Sequence, residues 1–312
     1  MDEPDVNSPV PIEYVLEDDR SVHVANVELG ITFYLAEPAH WAQKGAADAL
    51  QRFIQLAPQD FLLWYTTSLM DVYKRAHKNT LHEVVDAFSV HWLGQLRHGF
   101  EFTLTDDTGS ECTGFRYVEI DEKRVERTAL LELTIPAHFD PKLLLQMADM
   151  VFGLGPVYCA IGGYALRYNP AHKGTAFTVA HGWTKRYLGL DMQDRDRMPW
   201  LVKGKLPGVS WLNYLGGAWL AASGLDLAAL EQRKFSQPIG VARAGGGARI
   251  MAGDLPTLAD LNHFQRPLAY EELAHALADH FVPEPPPLYG EFARQEDAGA
   301  WFRRFLEPDR WT

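Results

Sequence analysis

Three consecutive strands joined by turns too short for a crossover constrain this chain more than any other feature. Phe100, Phe102 and Leu104 alternate with polar residues, Asp106-Asp107-Thr108-Gly109 supplies turn chemistry, and Phe115, Tyr117 and Val118 begin a return strand. Glu122 to Arg127 then forms a charged turn into a third strand, Ala129 to Ile135. Strands connected this closely must be antiparallel, because a parallel pair needs a connection of a dozen or more residues. A helix over 141–152, with Asp140 as its cap and Pro141 at its first position, and a buried strand over 157–168 follow. The pattern predicts an α+β fold, antiparallel sheets flanked by helices, rather than a doubly wound one.

Upstream, Val22 to Leu35 carries near-continuous apolar positions of period two, with Asn26 or Gly30 permitting a turn or bulge. Trp41, Ala49, Phe53 and Leu56 give a helix over 40–56 its core stripe, and Pro58 ends it. A short strand over 61–66 and a helix over 81–93, burying Val84, Val85, Phe88 and Trp92, come next. Residues 1–20, with three prolines and seven acidic residues, have little to bury and read as an acidic arm that is frayed or peripheral. Residues 21–280 read as one domain, with two similar sheet-and-helix halves divided near 170–200 as an open alternative. Residues 281–312 read as a proline-rich linker and an amphipathic tail around Phe292 to Phe305. In the second half an amphipathic stretch runs from Phe177 to Leu188, Asp226 caps a helix over 227–234, and Gly245-Gly246-Gly247 suggests a hairpin. Tyr270 to His280 is helical.

The stretch 208–223, GVSWLNYLGGAWLAAS, reads as a short helix with Trp211, Leu215 and Trp219 on one buried face and Ser210 as its cap. The Gly216-Gly217 pair costs about 1 kcal/mol per residue in a regular helix, so another part of the chain must press against that backbone or the helix must be irregular there.

With 47% apolar residues the 312-residue chain can bury a large core without disulfides, and Cys112 and Cys159 form no CxxC pattern. The N-terminus has no basic region and no apolar run, so it does not read as a secretory signal, and the apolar stretch 143–166 is too interrupted for a membrane span. A cytoplasmic protein without a membrane partner is expected. The net charge of −12 argues against nonspecific binding of nucleic acid and favours a basic protein partner. Charge is also segregated: residues 1–40 hold nine acidic side chains and one arginine, whereas 161–210 hold eight Arg or Lys against three aspartates.

Tests for catalytic chemistry find little. His82-Glu83-Val84-Val85-Asp86 has an aspartate where a zinc-protease helix needs its second histidine, and no third ligand stands at useful spacing. Gly153-Leu154-Gly155 and Gly245-Gly246-Gly247 lack the residues that complete a dinucleotide or Walker loop. Asp191 to Asp196 lacks the glycine and terminal glutamate of a calcium loop, and no GxSxG elbow is present. No catalytic residue, metal ligand or cofactor is assigned.

The series Lys185 to Asp191 (KRYLGLD), Gly208 to Gly216 (GVSWLNYLG) and Ala252 to Asn262 (AGDLPTLADLN), ending in Tyr270, resembles the type VI secretion immunity protein family. The resemblance spans roughly residues 20–280, with its specific markers in 185–270. It implies a cytoplasmic immunity protein, encoded beside a toxic effector and neutralising it by direct binding, nuclease-type toxins being among those effectors. The family tends to have glycine where this chain has Ala259, which puts a local turn in question. Of the motif residues Gly189, Asp191, Gly208, Trp211, Leu215, Gly216, Gly253, Pro256, Asp260 and Tyr270, the resemblance implies shared core and loop geometry. Contact with the toxin is expected instead from exposed acidic residues of the predicted hairpin, Asp106, Asp107 and Glu111. A hydrolase with an unmarked His/Asp/Glu site and a structural adaptor are the alternatives; a deep pocket holding a convergent titrating set would favour the former.

Overall fold

The computed structural model describes residues 11–17, 20–92, 100–108, 114–120, 126–192 and 197–311. Strands β1 (Ile12–Glu17), β2 (Arg20–Leu35), β3 (Trp64–Thr67), β4 (Lys74–Arg75), β5 (Phe100–Thr105) and β6 (Gly114–Glu119) come first in the chain. They are followed by β7 (Ala129–Ile135), β8 (Val157–Tyr168), β9 (Leu212–Leu215), β10 (Ile239–Ala244) and β11 (Gly247–Ala252). All eleven join one sheet in the order β10-β11-β9-β8-β2-β7-β6-β5-β3-β4, with β1 against β2. Every paired neighbour is antiparallel. β8 and β9 come from opposite sides of residues 170–200 and pair directly, Cys159 with Leu215 and Ala160 with Tyr214.

The flanking helices are α1 (Pro38–His40), which continues through a π-turn at Trp41–Gly45 into α2 (Ala46–Leu56), then α3 (Leu81–Ala87), α4 (Pro141–Phe152) and α5 (Lys173–Arg186). α6 (Gly217–Ser223), α7 (Leu227–Gln232), α8 (Leu268–Leu277), α9 (Gln295–Phe302) and α10 (Pro308–Trp311) complete the set. The α4 cap is as the sequence predicts: Lys142 donates its backbone N–H to Asp140 Oδ1 at 2.9 Å, satisfying one of the amides a helix start leaves unpaired.

Strand register gives the sheet two chemically different faces. Ile31 lies opposite Leu133, Phe33 opposite Leu131, Phe115 opposite Leu133 and Phe102 opposite Tyr117, so odd positions of β2 and β7 continue into an aromatic layer on β5 and β6. Phe53 of α2 packs on Phe115 with ring centroids 5.8 Å apart, and Phe88 lies 4.7 Å from Phe102. α4 adds the buried Leu144, Met147, Ala148 and Val151. Truncating one such buried phenylalanine to alanine costs about 3–5 kcal/mol.

Several expectations are corrected. The stretch 208–223 is not a single helix: Leu212–Leu215 is a central strand, and α6 starts only at Gly217. The spacing of Trp211, Leu215 and Trp219 therefore reflects separate burials rather than one helical face. Ser210 caps no helix; its backbone N–H donates to Asn213 Oδ1, and Asn213 Nδ2 returns a bond to Ser210 O. Gly216 is where the chain presses closest, because a Cβ there would lie 1.6 Å from Val157 O. β2 runs unbroken through Asn26 and Gly30. Within the acidic arm, residues 12–17 form β1. The helix expected over 81–93 changes at Phe88 into a π-turn ending at Trp92. The tail is packed: Trp301 and Trp311 are buried, and Phe292 stacks on Trp311 at 5.6 Å. Cys112 and the turn 121–125 lie outside the described residues, and Cys159 is a buried free thiol.

Candidate functional site

The face opposite the aromatic layer carries charge. The same register that stacks Phe33 on Leu131 puts Thr32 opposite Glu132, Arg116 opposite Glu132, Thr103 opposite Arg116 and Asn26 opposite Arg167. These side chains form a ladder across β5, β6, β7, β2 and β8. Arg116 Nε bonds Glu101 Oε1 at 2.7 Å and its Nη1 reaches Glu132 Oε2 at 3.4 Å. Arg167 Nη1 reaches Glu132 Oε1 at 3.5 Å, and the Thr32 hydroxyl donates to the same oxygen at 3.2 Å. Gly30, expected to permit a turn, has another role: a Cβ there would lie 2.5 Å from Arg167 Nη2, so the missing side chain lets the guanidinium cross the strand toward Glu132.

Asp106 and Asp107 follow β5 at one end of this ladder. Asp106 Oδ1 accepts from the Thr105 hydroxyl at 3.2 Å, and both carboxylates act electrostatically on His23 of β2. Burial pushes the His23 imidazole below its ordinary value, against the pull of the two aspartates. Glu28 on β2 is driven the other way. Burial raises its carboxyl to about 8 and the Asp106 charge adds to the rise, outweighing the backbone N–H of Ala137 at 2.6 Å, the Arg167 charge and the Asn26 amide. Both aspartates are partly exposed, and Glu111 lies outside the described residues. The ladder was readable only as isolated polar positions of period two, Glu28 and Thr32 in one strand and Glu132 and Thr134 in another. Their convergence needs pairings between residues a hundred or more positions apart.

The motif residues gather elsewhere, between α5, the β9–β11 end of the sheet and the tail. Arg186 grips Asp260 at two points, Nε to Oδ1 at 2.9 Å and Nη2 to Oδ2 at 2.7 Å. That ion pair holds the Asp260 carboxyl down to about 2. Gly189 donates to Leu258 O at 2.9 Å, and a Cβ on it would lie 2.0 Å from Thr257 O. Trp211 Nε1 donates to Gly253 O, Gly253 has φ 96, and Gly208 has φ 150. Tyr270 accepts from Thr257 N at 3.2 Å, Pro256 is buried, and Leu215 and Gly216 close on β8. Asp191 faces Arg304 of the tail at 3.8 Å. Arg304 is fully enclosed, donating to Leu188 O and Leu190 O, and burial lowers its guanidinium to about 10 against the pull of Asp191. Ala259 takes φ 54, the left-handed conformation that glycine adopts freely and that costs an L-residue about 1–2 kcal/mol. Ala259 thus holds a strained turn.

Among the described residues, no group of three or more His, Cys, Asp or Glu is placed to hold a metal ion. His82 and Asp86 line a shallow groove between α2 and α3 with Gln51 and Ile54. A cleft of about 310 Å³ between the 205–207 loop and the tail is floored by Leu206, Phe281, Phe302 and Leu306, and Asp279 is its one acidic lining residue. No described helix is long and apolar enough to cross a membrane.

The continuous antiparallel sheet, helices on its aromatic face and a tail locked onto α5 define an α+β scaffold. It is shared with the solved Pseudomonas aeruginosa T6SS protein PA0821, at TM-score 0.75 and 20% identity, covering 94% of this chain and 86% of that one. The chain belongs to the TsiV family, described as type VI immunity for VRR-NUC, whose sequence profile matches residues 46–305. It is thus an immunity protein acting against a type VI secretion effector. The match runs past residue 280 into the tail that Arg304 anchors. No curated protein matches the chain.

Proposed function

We propose that this chain neutralises a VRR-NUC effector, a nuclease, by binding it stoichiometrically in the cytoplasm, without catalysis of its own. The observation that carries the reading is the family match over 46–305, whose description names that effector class. The net charge of −12 supports it, since an enzyme that holds nucleic acid presents a basic surface, and opposite fields accelerate encounter. Asp106 and Asp107, partly exposed at the end of the charged ladder, and Glu111, which follows them in the sequence, are the proposed first contacts. Co-expression with the effector encoded beside this chain tests the reading. Rescue from toxicity together with copurification is expected, and rescue with no detectable complex contradicts it.

A further inference from the structure

Among the described residues, the hydrogen-bond donors to Glu28 of β2 are uncharged. Its Oε1 accepts from Asn26 Nδ2 at 2.5 Å and its Oε2 from the backbone N–H of Ala137 at 2.6 Å. Arg167, on the same face of the sheet, directs Nη1 to Glu132 for its ion pair, at 3.5 Å. A carboxyl in that setting keeps its proton, because burial has removed the hydration that would stabilise its charge and two neutral N–H groups do not replace it.

One transverse row of the sheet links this carboxyl to the aspartates at the end of β5. Thr105 lies opposite Gly114, Gly114 opposite Thr134, and Thr134 opposite Gly30, two places from Glu28 on the same face. Two members of the row are glycines, so no long side chain of the row itself stands between the β5 end and β2. Among the described charges, Asp106 opposes ionisation of Glu28 and Arg167 favours it, Asp106 having the larger effect. His23, on β2, stands under Asp106 and Asp107 as well, but burial keeps its imidazole below the ordinary 6.5. It is already neutral above pH 7 and has no proton to give.

We infer that a basic effector docking on Asp106 and Asp107 drives the proton of the Glu28 carboxyl into solvent, so that the complex forms with proton release and tightens as pH rises. The inference rests on the neutralisation reading above and on the two aspartates as its contacts. A cation set against Asp106 cancels the field that opposes ionisation and adds an attraction of its own. Glu28 is already largely withdrawn from water, so a partner at the β5 end changes the charge around it more than its hydration. The sign follows from linkage: a carboxyl more acidic in the complex than in the free chain makes the complex the less protonated species, which rising pH favours.

Two measurements on the full-length protein test this. The first needs no partner: the Glu28 side-chain carboxyl is followed by carbon NMR through a pH titration, with Glu28→Gln identifying its signal. The parent is expected to titrate at about 8, and Asp106→Asn lower by about half a pH unit or more. The same midpoint in both overturns the coupling and leaves neutralisation intact. The second titrates the purified VRR-NUC protein proposed as effector by calorimetry at about pH 7.5, in buffers of different ionisation enthalpy. The parent is expected to release about half a proton more per complex than Glu28→Gln, and its affinity to climb severalfold relative to that variant between about pH 7 and pH 9. Equal proton release by the two overturns the proposal while neutralisation stands. No complex with the parent contradicts neutralisation, and the proton coupling with it.

Discussion

Arg186 and Asp260 meet through two parallel hydrogen bonds, 2.9 and 2.7 Å long, and thereby fix the end of α5 to the turn that carries Ala259 and Phe264. The Arg186 side chain is 42% exposed, so solvent screening keeps the pair's contribution modest. Asp260→Asn, which retains the turn's acceptor for Asn262 N, should cost about 1–2 kcal/mol at neutral pH. The carboxyl sits at about 2 in the fold against an ordinary 3.8, so its contribution is complete above pH 3.8 and is lost as pH falls through 2. Denaturant titrations of parent and variant should therefore converge toward pH 2.

Glu28 has the opposite sign. Below its ordinary value of 4.5 it is protonated in both folded and unfolded chains, and pH has no leverage through it. Between 4.5 and about 8 the unfolded chain releases a proton that the folded chain keeps, so rising pH removes stability. Glu28→Gln should gain on the parent across that window, by about 2–4 kcal/mol at pH 9, with little difference at pH 4. Urea midpoints at four or five pH values check this.

Gly216 cannot carry a side chain without moving the backbone, because its Cβ would overlap Val157 O. Gly216→Ala should cost on the order of 3 kcal/mol or more, separating β9 from β8. Gly182, inside α5, faces open space, and Gly182→Ala should instead stabilise by about 0.5–1 kcal/mol. Calorimetric melting of the two variants gives shifts of opposite sign.

These glycines mark what the sequence could and could not convey. The α4 boundaries and cap and the β7 limits were legible, because Asp140-Pro141 and the alternation through Ile135 are local signals. β9 was not: Leu212 to Leu215 is buried on both faces, so the period of two vanishes, and the tryptophans on either side imitate a helical stripe. Gly216 was legible as a point of close approach, though not what approached it. The charged ladder stayed hidden because Arg167 reaches Glu132 only after β8 and β7 both pair with β2. The exposure of Phe264 and the bond from Arg304 to Leu188 O depend on the packed tail and turn, which leave no periodic trace.

Charge at the hairpin should govern encounter more than final affinity. Replacing Asp106, Asp107 and Glu111 together by lysine is expected to slow association with the proposed VRR-NUC effector at least tenfold at low ionic strength, and to flatten the salt dependence of that rate. Stopped-flow association measured at several salt concentrations decides it. An unchanged rate and affinity would remove these residues from the contact surface.

Neutralisation by stoichiometric binding is tested most directly by the nuclease activity of the proposed VRR-NUC effector at fixed concentration while the purified immunity protein is titrated in. Activity should fall linearly and reach zero near one molar equivalent. Full activity in molar excess, or complete loss at a small fraction of an equivalent as a catalyst would produce, contradicts it.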